Sequence, residues 1–138
     1  MSNSAGGVTS LIGRILMSPL LLTSGFFKIT AYSTMVGYAT AMGVPMAKIG
    51  IIVAAALELL GGLAILIGLQ VRVVSWILFV YLIPVTFLFH GFWSAQGPQQ
   101  QNLMYHFLKN LAIMGGMLLL AANGAGAYSV DASRKKNA

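Results

Sequence analysis

Four apolar runs, from about Val8 to Phe27, Ile49 to Leu69, Val73 to Trp93 and Leu103 to Ala122, take up most of the chain. Each is close to the ~20 residues that an α-helix needs to cross the roughly 30 Å hydrocarbon core of a bilayer. Backbone in hydrocarbon must satisfy its own N–H and C=O groups, so runs this long and continuous have to be helices. Between them lie a Ser- and Gly-rich start, a loop from Lys28 to Lys48, a link at Gln70 to Arg72, a loop from Ser94 to Asn102 and a basic tail. No soluble domain fits in those pieces. The expectation is a single all-α domain over residues 1–138, an integral membrane four-helix bundle whose first partner is the lipid bilayer.

Charge supports this. Eight Lys or Arg and two acidic residues among 138 leave 7% charged, where soluble domains carry about 25%. The net charge of +6 does not point to nucleic acid, because no basic face with aromatic or loop elements is visible to present it. Lys28, Lys48, Arg72 and Lys109 lie at or near the ends of apolar runs, and Arg134, Lys135 and Lys136 form the tail, a membrane-flanking pattern. Arg14 must lie within the first span, because the 13 residues between it and Lys28 are too few to cross. The first span reads as an uncleaved anchor, since it lacks the basic start and the cleavage site of a signal peptide. Zero cysteines exclude disulfides, iron–sulfur clusters, zinc thiolates and thiol relays, so any redox role needs a borrowed cofactor.

Four crossings put both termini on one side. Arg14, Arg72, Arg134, Lys135 and Lys136 belong to that side, and Lys28, Lys48 and Lys109 to the other, so the positive-inside rule predicts cytoplasmic termini. Pro19 and Pro84 lie inside spans one and three, where each frees a carbonyl. Gly61, Gly62, Gly115 and Gly116 lie inside spans two and four, where small residues allow close helix approach.

Glu58 is the sharpest single feature. It stands ten residues after Lys48 and 14 before Arg72, roughly 15 Å and 21 Å from the ends of its span at 1.5 Å per residue. A carboxylate at that depth needs a partner, a proton or water. Arg14, by the same rise roughly 21 Å below Lys28, is the expected partner. Arg14, Ser18, Leu21, Gly25 and Lys28 share one stripe of span one, which should face the bundle. An Arg14–Glu58 intramembrane ion pair has two readings: a lock on helix register, or a participant in ligand or proton binding.

A second group gathers at the end away from the termini: Lys28, His90 and Trp93, then His106, Lys109 and Asn110. These are the expected ligand-binding residues, suited to an anionic or quinone-like headgroup. The lysines bring charge, the histidines proton exchange, and Phe92, Trp93, Tyr105 and Phe107 ring faces. The plain alternative is an aromatic belt with snorkelling lysines. Two histidines could also ligate haem iron, but no supporting motif accompanies them. Zinc usually takes three or four ligands, and no metal site is expected. Nothing reads as a nucleophilic triad, a P-loop or a dinucleotide fingerprint, and no catalytic residue can be assigned.

The order of several short pieces resembles the DoxX family of small four-span bacterial membrane proteins. They are Gly13-Arg14, Ser24-Gly25-Phe26-Phe27-Lys28, Gly43-Val44-Pro45, Glu58-Leu59-Leu60-Gly61-Gly62 with Gly68 and Arg72, Phe89-His90-Gly91-Phe92-Trp93, Phe107-Leu108-Lys109-Asn110-Leu111-Ala112 with Gly115-Gly116, and a close at Gly124 to Asp131. The resemblance implies a multi-pass protein of the bacterial cytoplasmic (inner) membrane. It further implies an accessory or ligand-binding component of a quinone-linked redox or stress-response process, with redox-complex subunits as partners; a homo-oligomer is a separate expectation. It places Arg14, Lys28, Glu58, His90, Lys109 and Asn110 on recurring polar positions. Two other functions fit the residues: a small-solute transporter, which needs Glu58 accessible from both sides, and a non-catalytic membrane scaffold.

Overall fold

The computed structural model describes residues 4–136. Its elements are α1 (Ser4–Thr30), α2 (Tyr32–Ala41), α3 (Ala47–Ile67), α4 (Val71–Phe89), a 3₁₀ turn (Phe92–Ser94), α5 (Gly97–Asn123) and α6 (Val130–Lys136). The four expected spans are present as α1, α3, α4 and α5, each long and apolar enough to cross a membrane. α1 continues through Pro19 and α4 through Pro84.

The segment from Lys28 to Lys48, expected to be a loop, is largely helical. Tyr32, Met35, Val36 and Ala39 recur at helical spacing and pack on Ala47 and Ile51 of α3, so an apolar stripe at i, i+3, i+4 and i+7 is present in the sequence. α2 stops at Gly43, whose φ of 78° suits the left-handed residue of a helix C-terminus. The N–H of Val44 donates to Ala39 O at 3.0 Å and closes the turn.

α1 and α3 are antiparallel and closely packed. A Cβ built on Gly25 would stand 2.7 Å from Leu59 Cγ and 3.1 Å from Ala55 O, so only glycine allows this approach. Gly62 lies against Leu21 and Leu22 of α1, and Gly61 against Leu78 of α4. The second glycine pair does not act alike. Gly116 meets Met17, whereas Gly115 faces open space and makes no close contact.

Leu21, Ile65, Val71, Leu78, Met117 and Ala125 form an apolar cluster toward the termini. Leu16, Leu60 and Leu119 are 75%, 69% and 66% exposed, which suits side chains facing acyl chains rather than water.

Polar groups clasp the termini end. Arg14, fully buried, donates from Nη1 to Ile65 O at 3.2 Å and Leu66 O at 2.7 Å, and from Nη2 to Tyr128 O. It thereby satisfies carbonyls in the last turn of α3, where a cation also complements the helix dipole. The Asp131 carboxylate accepts from the N–H of Gln70 at 2.7 Å and of Val71 at 3.1 Å, capping α4. Its own N–H donates to Gly68 O at 3.0 Å. Arg72 donates to Ala121 O and Ala122 O at the end of α5.

The expected Arg14–Glu58 ion pair is therefore corrected. Contacts of Gly25 and Gly62 set Lys28 level with the turn of α3 before Glu58, about 10 Å deeper than Lys48 at 1.5 Å per residue. Arg14 then falls level with Ile65 and Leu66, about 11 Å past Glu58. The expectation failed because it set Lys28 and Lys48 at the same depth.

Candidate functional site

Glu58 is buried, with 4% of its surface exposed, and is met by two other helices. Lys28 of α1 donates to both carboxylate oxygens, at 3.0 Å to Oε1 and 2.7 Å to Oε2. Tyr81 of α4 donates its hydroxyl to Oε1 at 2.7 Å. Lys28 Nζ also donates to Ser24 Oγ at 2.8 Å, one turn back on its own helix. The three protons of the ammonium and the tyrosine hydroxyl thus all have acceptors. This completeness is what makes a buried pair tolerable.

Glu58, Lys28 and Tyr81 line a cavity of about 400 Å³ with mostly apolar walls. α2 contributes Met35, Tyr38 and Ala39, and α4 contributes Leu82, Val85 and Leu88. Lys28 and Glu58 cancel in charge at the floor. The half-buried His90 and His106 and the exposed Lys109 lie toward the mouth, and the buried Asn110 lines the same cavity. His90 and His106 stack at 5.2 Å between centroids and 17° between planes, and Lys109 Nζ lies 2.9 Å from His106 Nδ1. The two rings present faces to each other rather than nitrogens, an arrangement unlike axial ligation of one iron. Asn110 is buried and donates to Thr86 Oγ1 at 3.1 Å, which itself donates to Leu82 O.

Of the six expected ligand-binding residues, Lys28, His90, His106, Lys109 and Asn110 share this cavity wall, and Trp93 does not. Trp93 is 58% exposed and packs edge-on against Phe92 and Phe107. Tyr105 is exposed as well. Phe92, Trp93 and Phe107 pack on one another at the loop end, and neither they nor Tyr105 line the cavity. Sequence reasoning missed Tyr81, although a hydroxyl in the middle of an apolar span needs a partner and so was a usable signal. It also missed α2, which walls the cavity.

The DoxX family pattern matches residues 9–91, covering α1 to the end of α4. Inner membrane protein YqjF of Escherichia coli (strain K12) is 44% identical over 121 residues, 88% of this chain and 88% of that protein. Inner membrane protein YphA of the same organism is 30% identical over 128 residues, 93% of this chain and 91% of that protein. The ER-derived vesicles protein ERV29 of Saccharomyces cerevisiae is 32% identical over 79 residues, 57% of this chain but 26% of that protein. No solved structure matches. Lys28, Glu58, Tyr81 and His90 lie within the family match, whereas His106, Lys109 and Asn110 lie beyond it. With four membrane-length helices, the family match and two inner-membrane relatives across most of its length, the chain belongs to the DoxX family and is a multi-pass inner-membrane protein.

Proposed function

We propose that the chain is a ligand-binding, accessory component of a quinone-linked redox or stress-response process, and that its cavity takes a quinone headgroup. One observation carries the reading. A mostly apolar cavity of about 400 Å³ holds in its wall the buried Glu58 carboxylate, hydrogen-bonded by the half-buried Lys28 and Tyr81. Ligand sites have this size and this mixture of apolar wall and few polar groups. A buried ion pair adds little net stability, and intramembrane ionisable residues mark functional sites by default. At the floor, the Glu58 carboxylate and the Tyr81 oxygen are acceptors for a quinol hydroxyl. Lys109 and the imidazoles toward the mouth, and Asn110 in the wall, are donors for a ring carbonyl.

The apolar cluster of Leu21, Ile65, Leu78 and Met117 lies between Glu58 and the termini end, which favours binding over passage through the bundle. Protein purified with its native lipid is expected to retain quinone. Added short-tailed ubiquinone should raise its melting temperature, the linkage reaching about 2.7 kcal/mol at a hundredfold excess over Kd. Tyr81→Phe should reduce that rise. Lipid extracts without quinone, together with a melting temperature that ubiquinone leaves unchanged, would contradict the reading.

In this proposal the termini lie in the cytoplasm, as the excess of Arg and Lys at their end supports. A green fluorescent protein fused after residue 138 should fluoresce, and an alkaline phosphatase at the same place should be inactive. Active phosphatase with a dark fluorescent fusion would reverse the orientation.

A further inference from the structure

The chain has two acidic residues, and both are engaged. Glu58 is held by Lys28 and Tyr81, and Asp131 caps α4 at the opposite end of the bundle. Lys109 therefore has no carboxylate partner among the described residues, and its near contact is His106 Nδ1 at 2.9 Å. The His106 ring lies on His90, whose Nδ1 is buried and makes no hydrogen bond. Three basic side chains are thus gathered at the mouth of an apolar cavity with no anion among them. The other titratable groups lining the cavity are Tyr38, Tyr81, Lys28 and Glu58. The last two cancel, so the cavity carries net positive charge from Lys109.

Such a cluster gathers donors and positive charge with no counter-charge, and repulsion within it is weakly screened in a medium of reduced dielectric. An anionic oxygen group reverses this, accepting charge-assisted hydrogen bonds from the ammonium and from an imidazole. Lys109 is exposed, as a snorkelling lysine is, but it also lines the cavity and sets its Nζ against His106 Nδ1.

We propose that His90, His106 and Lys109 bind the anionic headgroup, carboxylate or phosphate, of an amphiphile whose apolar body fills the cavity. This rests on the reading that the cavity holds a ligand, and not on that ligand being a quinone. Either a free amphiphilic acid or an anionic phospholipid of the bilayer supplies this chemistry.

The test uses the full chain in phosphatidylcholine nanodiscs, titrated with dodecanoate and with dodecanamide, its uncharged counterpart. Binding is read from the ring proton shifts of His90 and His106 and from melting temperature. Dodecanoate is expected to bind about tenfold or more tightly than dodecanamide, on the scale of one charge-assisted hydrogen bond. Lys109→Gln should remove that preference, and Lys109→Arg should retain it. If nanodiscs containing phosphatidylglycerol shift both histidines and block dodecanoate, the proposal stands with the bilayer as source. If they do not block it, the proposal stands with a free acid as source. Equal binding of the two probes, or a Lys109→Gln variant that keeps the preference, overturns it. Ubiquinone is titrated separately: its failure while dodecanoate binds removes the quinone reading alone, and the converse removes this one.

Discussion

Lys28→Met is expected to lower stability by about 3–5 kcal/mol, the range for removing one partner of a buried ion pair. The substitution keeps the length of the side chain and its apolar stem but strips Glu58 of two of its three hydrogen bonds. The carboxylate, 4% exposed, would then depend on Tyr81 alone, with no cation near it. Glu58→Gln should cost less, about 1–3 kcal/mol, because the amide still accepts from Tyr81 and Lys28 can turn its ammonium toward the cavity. Lys28 is the more accessible partner, with 17% of its side chain exposed against 5%. Unfolding in mixed detergent micelles, followed by circular dichroism, measures both. A Lys28→Met variant as stable as the parent would mean that the pair is wet or loosely formed.

The second large effect is expected at the other end. Arg14→Met removes donors from Ile65 O, Leu66 O and Tyr128 O; Ile65 O keeps the N–H of Gly68, while the other two lose their donor in a part-buried setting. Unsatisfied buried acceptors cost about 1–3 kcal/mol each where no water reaches them, so a total loss of about 3 kcal/mol or more is expected. The clasp should also open, because Tyr128 holds the segment that carries Asp131. Amide hydrogen exchange is the direct readout. The N–H groups of Gln70, Val71 and Asp131, all bonded across the clasp, should exchange faster by more than tenfold in Arg14→Met, while the amides of α2 keep their parental rates. Unchanged protection at those three amides would show that Arg14 does not hold the tail.

These expectations differ from what the chain alone suggests, and the difference has a physical source. The spans were legible because hydrocarbon leaves a helix no alternative, and His90, His106, Lys109 and Asn110 converge because antiparallel threading of α4 and α5 brings the end of one to the start of the other. The need for a partner at Glu58 was legible too. Which cation answers it was not, since depth was measured from Lys28 as though that residue marked the membrane boundary. Lys28 instead points into the bundle beside Ser24, and the close approach at Gly25 fixes a register that spacing within one helix cannot reveal. Trp93 is expected at the site because it ends the third apolar run and offers a ring face, and neither fixes where the ring points. Its position within a 3₁₀ turn directs it toward Phe107, which no periodicity in the loop announces.

Two double-mutant cycles test the central pairing most directly, one combining Lys28→Met with Glu58→Gln and the other Arg14→Met with Glu58→Gln, each read as unfolding free energy. The account predicts a coupling of about 1–3 kcal/mol in the first cycle, as for residues in one hydrogen-bonded network, and none beyond about 0.5 kcal/mol in the second, as for separated sites. Additive behaviour of Lys28 and Glu58 with strong coupling between Arg14 and Glu58 would contradict it.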